Sequence, residues 1–129
     1  MTTRLMGLAV KELKMERVGE MLEDINQTRE TLRREYSQQM EAWKGFIDQV
    51  RADGAISRKV KGLVGLALAI ARGCDSCVAY HTNAVLELGA TREEILEVCL
   101  MSLYMCGAPA MPSTGFVLEA IERFEGKEA

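Results

Sequence analysis

Residues 57–91 of this 129-residue chain read SRKVKGLVGLALAIARGCDSCVAYHTNAVLELGAT and predict two helices joined by a short turn. Ser57 is a typical N-cap residue for a first helix over 57–72. This segment is apolar on every side, which is typical of a buried helix. Gly73 ends it, and a second helix runs to Gly89, a residue type that favours the C′ position.

The first of these helices contains two glycines, Gly62 and Gly65. Each costs about 1 kcal/mol relative to alanine in a helix interior. We therefore expect another backbone to pack closely against the helix at these positions.

The rest of the chain also has helical spacing. Residues 8–52 carry apolar side chains at intervals of three and four, sparse between Ile25 and Leu32, which predicts a break or two helices there. Thr91 opens a capping box and a helix to about 106, and a final amphipathic helix is expected over 113–125. No alternating β pattern occurs, so the predicted fold is all-α with five to six helices.

Composition excludes several classes of protein. Apolar residues make up 48% of the chain, too many for intrinsic disorder, and the net charge of −3 without a basic block argues against nucleic acid as a partner. The longest uncharged apolar run, residues 62–71, is half of the roughly 20 residues that a membrane span needs. The N-terminus has no signal-peptide pattern, so we expect a cytoplasmic protein without membrane association.

We expect a single domain over residues 1–129, made of a charged N-terminal helical region, 1–54, and a core, 55–129. Residues 1–60 carry 11 Lys and Arg and 10 Asp and Glu, whereas residues 61–129 carry 5 and 9. The first half therefore resembles solvated helix surface, and the second half resembles a core that subunits can share.

The strongest chemical signal is CDSCVAYH at residues 74–81. Cys74 and Cys77 are three residues apart at the start of a helix, a spacing that lets a disulfide form and open with little backbone movement. Helix N-terminal N–H groups lower the pKa of a thiol. His81 follows Cys77 by four residues on the same helix face, where it can take the thiol proton or stabilise the thiolate. These three residues are the candidate catalytic set for peroxide reduction or disulfide exchange.

The chain has one histidine, so a Cys2His2 zinc site or a two-histidine metal centre cannot come from one subunit. We expect no metal and no cofactor, although half a metal site completed by a neighbouring subunit is an alternative. The remaining cysteines, Cys99 and Cys106, are seven residues apart on one helix. Their separation of about 10.5 Å exceeds what a disulfide spans, and we interpret both as buried small apolar residues.

The motif and its flanks resemble the carboxymuconolactone decarboxylase-like superfamily, and within it the alkylhydroperoxidase D branch. The resemblance covers residues 57–112 and depends on K-x-K-x-L at 59–63, C-x-x-C-x-x-x-H at 74–81 and G-A-T-x-E-E-I at 89–95. It implies an all-helical fold that assembles into homo-oligomers, hexamers or trimers of dimers.

The resemblance also implies thiol-dependent peroxidase or related disulfide chemistry on a small peroxide or disulfide substrate. Cys77 would then be the attacking thiolate, Cys74 the resolving thiol, and His81 part of a proton relay. A lipoyl-bearing or thioredoxin-like partner would reduce the oxidised pair again.

One position departs from that branch, which has a glutamate where this chain has Gly62. A positioned general base is worth about 10²–10⁴-fold in rate, so peroxidase activity is expected to be weak unless another group replaces it. The candidates are, in this chain, Asp75, Glu94, Glu97 and, more weakly, Tyr80 and Tyr104, or else an acid of a neighbouring subunit.

Two other functions are open at this stage. One is a non-catalytic oligomeric module whose dithiol is a redox sensor or a metal-binding pair, with the charged N-terminal helices docking a partner. The other is a lyase of the carboxymuconolactone decarboxylase type that uses His81 as a base and Arg72 to bind an anion.

Overall fold

The fold is all-helical, as predicted. A computed structural model describes residues 2–128, and over that range it contains six α-helices, one 3₁₀ turn and no strand. The helices are α1 (Thr3–Glu35), α2 (Ser37–Arg51), α3 (Arg58–Arg72), α4 (Asp75–Glu87), α5 (Arg92–Cys106) and α6 (Met111–Glu128), with the 3₁₀ turn at Ala108–Ala110.

The predicted starts and stops of the central helices are confirmed. The hydroxyl oxygen of Ser57 accepts a hydrogen bond from the backbone N–H of Val60 at 3.2 Å and caps α3. Thr91 caps α5 in the same way, 3.1 Å from the N–H of Glu94. Gly73 follows α3 with φ of 66°, in the left-handed region that glycine adopts without strain.

The buried core is built almost entirely from α3 to α6. Within α1 and α2, Val18 is the one residue that is fully buried. The largest fully buried side chains of the other helices are Leu66, Ile70, Val78, Val85, Ile95, Val117 and Ile121. The core therefore surrounds α4, the helix that carries the cysteine motif.

A close neighbour at the two glycines of α3 is confirmed and is α4, although its side chains rather than its backbone make the approach. A Cβ atom at Gly62 would lie 2.9 Å from Cγ1 of Val85 and 3.4 Å from Cδ1 of Leu88. A Cβ atom at Gly65 would lie 3.2 Å from Nδ1 of His81. The two glycines thus let α3 approach α4 at the level of the histidine and one turn beyond it.

Two predicted boundaries were wrong. The break in the N-terminal region is not between Ile25 and Leu32 but at Tyr36, where φ of −132° leaves the helical region. The apolar stripe is sparse between Ile25 and Leu32 because α1 faces solvent there on most sides. The last helix begins at Met111 rather than at 113, since Pro112 fits the first turn, where a backbone N–H has no partner in the helix.

The prediction that α3 is buried on all sides was also wrong for the single chain. Leu66, Ala69 and Ile70 are buried, but Val60, Val64 and Leu68 form an exposed apolar face along the outside of the helix. In the described part of the chain, no helix combines the length and the apolarity that crossing a bilayer requires.

Candidate redox site

The two cysteines of the motif lie at the first turn of α4. Cys74 is the N-cap residue, and Cys77 follows within the first turn. Their sulfur atoms are joined in a disulfide, their Cα atoms are 5.2 Å apart, and both residues are half-buried. The spacing therefore allows the bridge without interrupting the helix.

The backbone of this turn donates to one of the two sulfurs. The N–H of Cys77 lies 3.3 Å from Sγ of Cys74, which acts as the side-chain cap of α4. The hydroxyl oxygen of Ser76 lies 3.5 Å from the same sulfur. An N–H donor stabilises negative charge on sulfur, and at this helix start the donor is directed at Cys74.

His81 lies one turn after Cys77 on α4, half-buried against Gly65 of α3. The ring of Tyr80 meets the imidazole edge-on, with centroids 5.3 Å apart. Burial lowers the pKa of His81 below its ordinary value, and the positive charge of Arg51 lowers it further. The imidazole is therefore neutral at pH 7 and able to accept a proton.

The position of the missing glutamate leaves no free space for a carboxylate. Gly62 faces Val85 and Leu88, and a Cβ atom there would lie 2.9 Å from Cγ1 of Val85, too close unless that side chain or α4 shifts. Position 62 is thus a point of close contact between α3 and α4.

The groups predicted as replacements for the missing glutamate at position 62 lie at different distances from the dithiol and His81. Glu94 pairs with Lys59 in the first turn of α3, at 3.1 Å, and α3 rises about 20 Å from there to the cysteines. Glu97 is exposed on α5, and Tyr104 is 79% exposed on the same helix. Asp75 lies between the two cysteines at the start of α4. Of the predicted groups, only Asp75 and Tyr80 lie within the first two turns of α4, which hold the dithiol and the histidine.

The other two cysteines are both free thiols, but they lie in different surroundings. Cys99 is buried as predicted, and burial raises the pKa of its thiol, partly offset by a hydrogen bond with Thr114. Cys106 is exposed, so its prediction as a buried residue was wrong. It is the last residue of α5 and lies at the end of a helix whose outer face is uncovered in the single chain.

The N-terminal helices contribute to the site in a way that the sequence did not indicate. The guanidinium of Arg29 in α1 lies over the ring of Tyr80, 5.2 Å from its centroid. The charge of Arg51, at the end of α2, acts on His81. Neither residue belongs to a motif, so no local signal identifies them.

An apolar cavity of about 450 Å³ runs between α1 and α2 and reaches the motif at Ser76. Its walls are mainly Met21, Ile25, Leu32, Met40 and Trp43. Because the hydroxyl of Ser76 lies next to Sγ of Cys74, this cavity approaches the disulfide. Within residues 2–128, no group of three or more His, Cys, Asp or Glu side chains is placed to hold a metal ion.

Comparison with known proteins finds one matching family model and similar crystal structures from that family. The family model described as "Carboxymuconolactone decarboxylase family" matches residues 38–120. The apo crystal structure of a carboxymuconolactone decarboxylase family protein from Legionella pneumophila is 33% identical, with a TM-score of 0.73 over 86% of this chain and 96% of that one. A Thermotoga maritima protein of the same family, described as having a possible role in the antioxidative response, is 25% identical with a TM-score of 0.68, over 85% of this chain and 97% of that one.

Two curated relatives are themselves uncharacterised. A protein from Cupriavidus necator is 40% identical over 70 residues, which are 54% of this chain and 62% of that protein's length. A protein encoded in the cox locus of Paracoccus denitrificans is 29% identical over 86 residues, 67% of this chain and 78% of its own length.

Proposed function

The chain belongs to the carboxymuconolactone decarboxylase family, and from that premise we propose that Cys74 and Cys77 form a redox-active dithiol that reduces small peroxides. The observation that carries the proposal is the disulfide at the capped start of α4, with a neutral histidine one turn away. The antioxidative role suggested for the Thermotoga maritima relative points in the same direction.

The proposed reaction has two steps. A thiolate attacks one oxygen of the peroxide, the O–O bond breaks, and the products are a sulfenic acid and an alcohol or water. The second thiol then attacks the sulfenic sulfur, which forms the disulfide and releases water. An external dithiol, lipoyl-bearing or thioredoxin-like, returns two electrons and two protons to complete the cycle.

His81 would supply the proton transfers. As a neutral imidazole it can take the proton of the attacking thiol and later give it to the leaving oxygen. Its burial against Gly65 and the edge contact with Tyr80 fix the ring in one orientation. With no carboxylate at position 62, we expect this relay to work more slowly than one with a second base.

Two observations disagree on which cysteine, Cys74 or Cys77, is the attacking thiolate. Resemblance to the alkylhydroperoxidase D branch assigns the attack to Cys77. The N–H hydrogen bond at the helix start goes to Cys74, and it favours the thiolate there. A variant pair separates these assignments, since only the attacking cysteine is oxidised when its partner is replaced.

The apolar cavity between α1 and α2 is the entry that we propose for an organic peroxide. It reaches Ser76, beside the sulfur of Cys74. Asp24 and Arg29 also line it, but most of its walls are apolar and suit an alkyl or aryl group. Organic hydroperoxides should therefore react faster than hydrogen peroxide.

We also propose that the chain assembles into a homo-oligomer through its exposed apolar faces. Val64 and Leu68 on α3 and Leu100, Tyr104 and Met105 on α5 are all at least half-exposed. A patch of this kind, on two helices that pack together, is typical of an interface. Sedimentation of the protein at micromolar concentration tests this, and a monomer would contradict it.

The central experiment follows the cysteines directly. Reduced protein receives one equivalent of an organic peroxide, is quenched with an alkylating agent at intervals, and is mapped by mass spectrometry. We expect a Cys74–Cys77 disulfide in the natural protein, and a sulfenic acid on the attacking cysteine when the other is replaced by serine. The matched control is Cys106→Ser, which removes an exposed thiol outside the motif and should leave the rate unchanged. Equal oxidation of all reduced thiols would contradict the proposal.

A redox sensor is the second candidate, and the closed contact at Gly62 favours it. Such a protein would form the same disulfide but turn over slowly with any dithiol reductant. Multiple turnovers per minute with dithiothreitol would exclude the sensor, whereas a single oxidation without turnover would exclude the peroxidase.

A further inference from the structure

We infer that a second, polar cavity of about 460 Å³ binds a small molecule that carries a doubly charged anionic group, a phosphate ester or a dicarboxylate. The lining comes from α1, α4 and α6, with Arg51 from the end of α2 and Arg58 from the start of α3. Its volume lies within the range of about 300–1,000 Å³ that is usual for small-molecule sites. The inference does not depend on the dithiol being a peroxidase.

Positive charge converges on this cavity from three helices. Arg51, Arg58, Arg123 and Lys127 line it, together with the carboxylates of Glu23 and Glu87, so the lining has a net charge of about +2. The whole chain carries −3. The cavity is thus a local positive region in an acidic protein, and general attraction of anions to the surface does not account for it.

The carboxylates of the lining do not neutralise the arginines. Glu23 accepts a hydrogen bond from the amide of Gln27, and Glu87 accepts one from Asn83. Among the residues that the structure describes, no carboxylate lies within 4.0 Å of the guanidinium groups of the three lining arginines. The carboxylate of Asp53 accepts a hydrogen bond from the backbone N–H of Arg58 rather than from its guanidinium. Guanidinium groups bind phosphate and carboxylate in a two-pronged geometry, so three of them at one cavity fit a dianion.

The backbone of α1 makes room for one of these groups. A Cβ atom at Gly19 would lie 3.0 Å from Nε and 3.1 Å from Nη2 of Arg123. The guanidinium therefore lies flat against α1 beside the cavity, a position that any side chain at residue 19 would displace. Because only the end of a flexible side chain is in the way, the displacement costs the fold little.

The cavity also adjoins the candidate redox site. It follows α4 from Tyr80 to Leu88, about 12 Å of helix, and the ring of Tyr80 contacts His81. Arg51 lines the cavity and acts electrostatically on the same imidazole. A bound dianion would therefore lie one to three turns from the dithiol, beside Tyr80 and Arg51, the two lining residues that also act on the histidine.

The test is a binding experiment on the oxidised, tag-free protein, so that no turnover is involved. Inorganic phosphate, succinate and chloride are titrated at constant ionic strength, by calorimetry and by the ring proton signal of His81, the only histidine. We expect saturable binding of phosphate or succinate, one per chain, and none of chloride. Preference for phosphate points to a phosphate ester, and preference for succinate points to a dicarboxylate.

Three variants decide whether the binding occurs at this cavity. Arg123→Gln and Gly19→Ala should each weaken it at least fivefold, and Gly19→Ala should do so without lowering the melting temperature. Arg34→Gln removes an equal charge from an exposed position of α1 outside the cavity and should bind as the natural protein does. The inference is overturned if neither dianion saturates, or if Arg123→Gln binds as tightly as the natural protein.

Discussion

Helices α1 and α2 hold more than a third of the described residues but place only Val18 among the fully buried ones, whereas the segment from α3 to α6 supplies the rest of the core. The two regions also differ in how their helices begin. α3, α4 and α5 each have a side-chain cap, and α1 and α2 have none. The N-terminal region instead contributes charges and cavity walls: Arg29 and Arg51 act on Tyr80 and His81. The comparison indicates that α3 to α6 determine stability and that α1 and α2 adjust the environment of the site.

The largest expected effect comes from truncating one side chain in each region, which tests whether stability depends on α3 to α6 rather than on α1 and α2. Leu66→Ala removes a side chain with 0% exposure and should lower the free energy of unfolding by about 2–5 kcal/mol. Leu13→Ala removes one that is 64% exposed in α1 and should change it by less than about 0.5 kcal/mol. Urea denaturation followed by circular dichroism measures both. Similar losses would mean that α1 is buried against something in solution.

Glycine-to-alanine substitutions test the same difference, because the change should lower the stability in one region and raise it in the other. Gly62→Ala places a methyl group 2.9 Å from Val85 and should destabilise by about 1–3 kcal/mol. Gly45→Ala in α2 meets nothing within 4 Å and should stabilise by about 0.4–1 kcal/mol. Thermal unfolding measures the stability of the two variants. A stabilised Gly62→Ala would contradict the tight contact between α3 and α4.

The caps give a smaller contrast. Thr91→Ala removes the hydrogen bond to the N–H of Glu94 and should cost about 1 kcal/mol. Thr2 stands at the N-cap of α1 without a side-chain hydrogen bond, so Thr2→Ala should have almost no effect. Denaturant titrations of the pair provide the measurement, and equal effects would remove capping as a difference between the regions.

The smallest expected effect is that of a residue in the N-terminal region on the pKa of His81 in α4. Arg51→Gln in α2 should raise the pKa of His81 towards its ordinary value of 6.5, although burial keeps it lower. Because the unfolded chain takes up the proton first, stability falls as the pH drops below about 6.5 towards the folded pKa, and the variant should lose less there. A proton NMR titration of the single histidine reports the shift. An unchanged pKa would mean that α2 does not act on the site.

The sequence predicted those parts of the fold that depend on contacts between residues close together in the chain. Ser57, Gly73 and Thr91 fix helix ends through contacts within a few residues, and the cysteine spacing allows a disulfide by itself. The bend at Tyr36 and the exposure of Cys106 depend on which neighbours cover a helix, and no short pattern contains that information. The same holds for the two cavities, since their walls come from helices far apart in sequence.

Cys74 is both the cap of α4 and half of the disulfide with Cys77, and this double role bears on how the scaffold evolves. Serine caps a helix at least as well as a thiol does, so a serine codon, one nucleotide away, would end the disulfide chemistry and leave the helix start intact. The reverse change would restore it as easily. Lineages that carry this fold can therefore gain or lose dithiol chemistry in a single mutational step, without passing through an unstable ancestor.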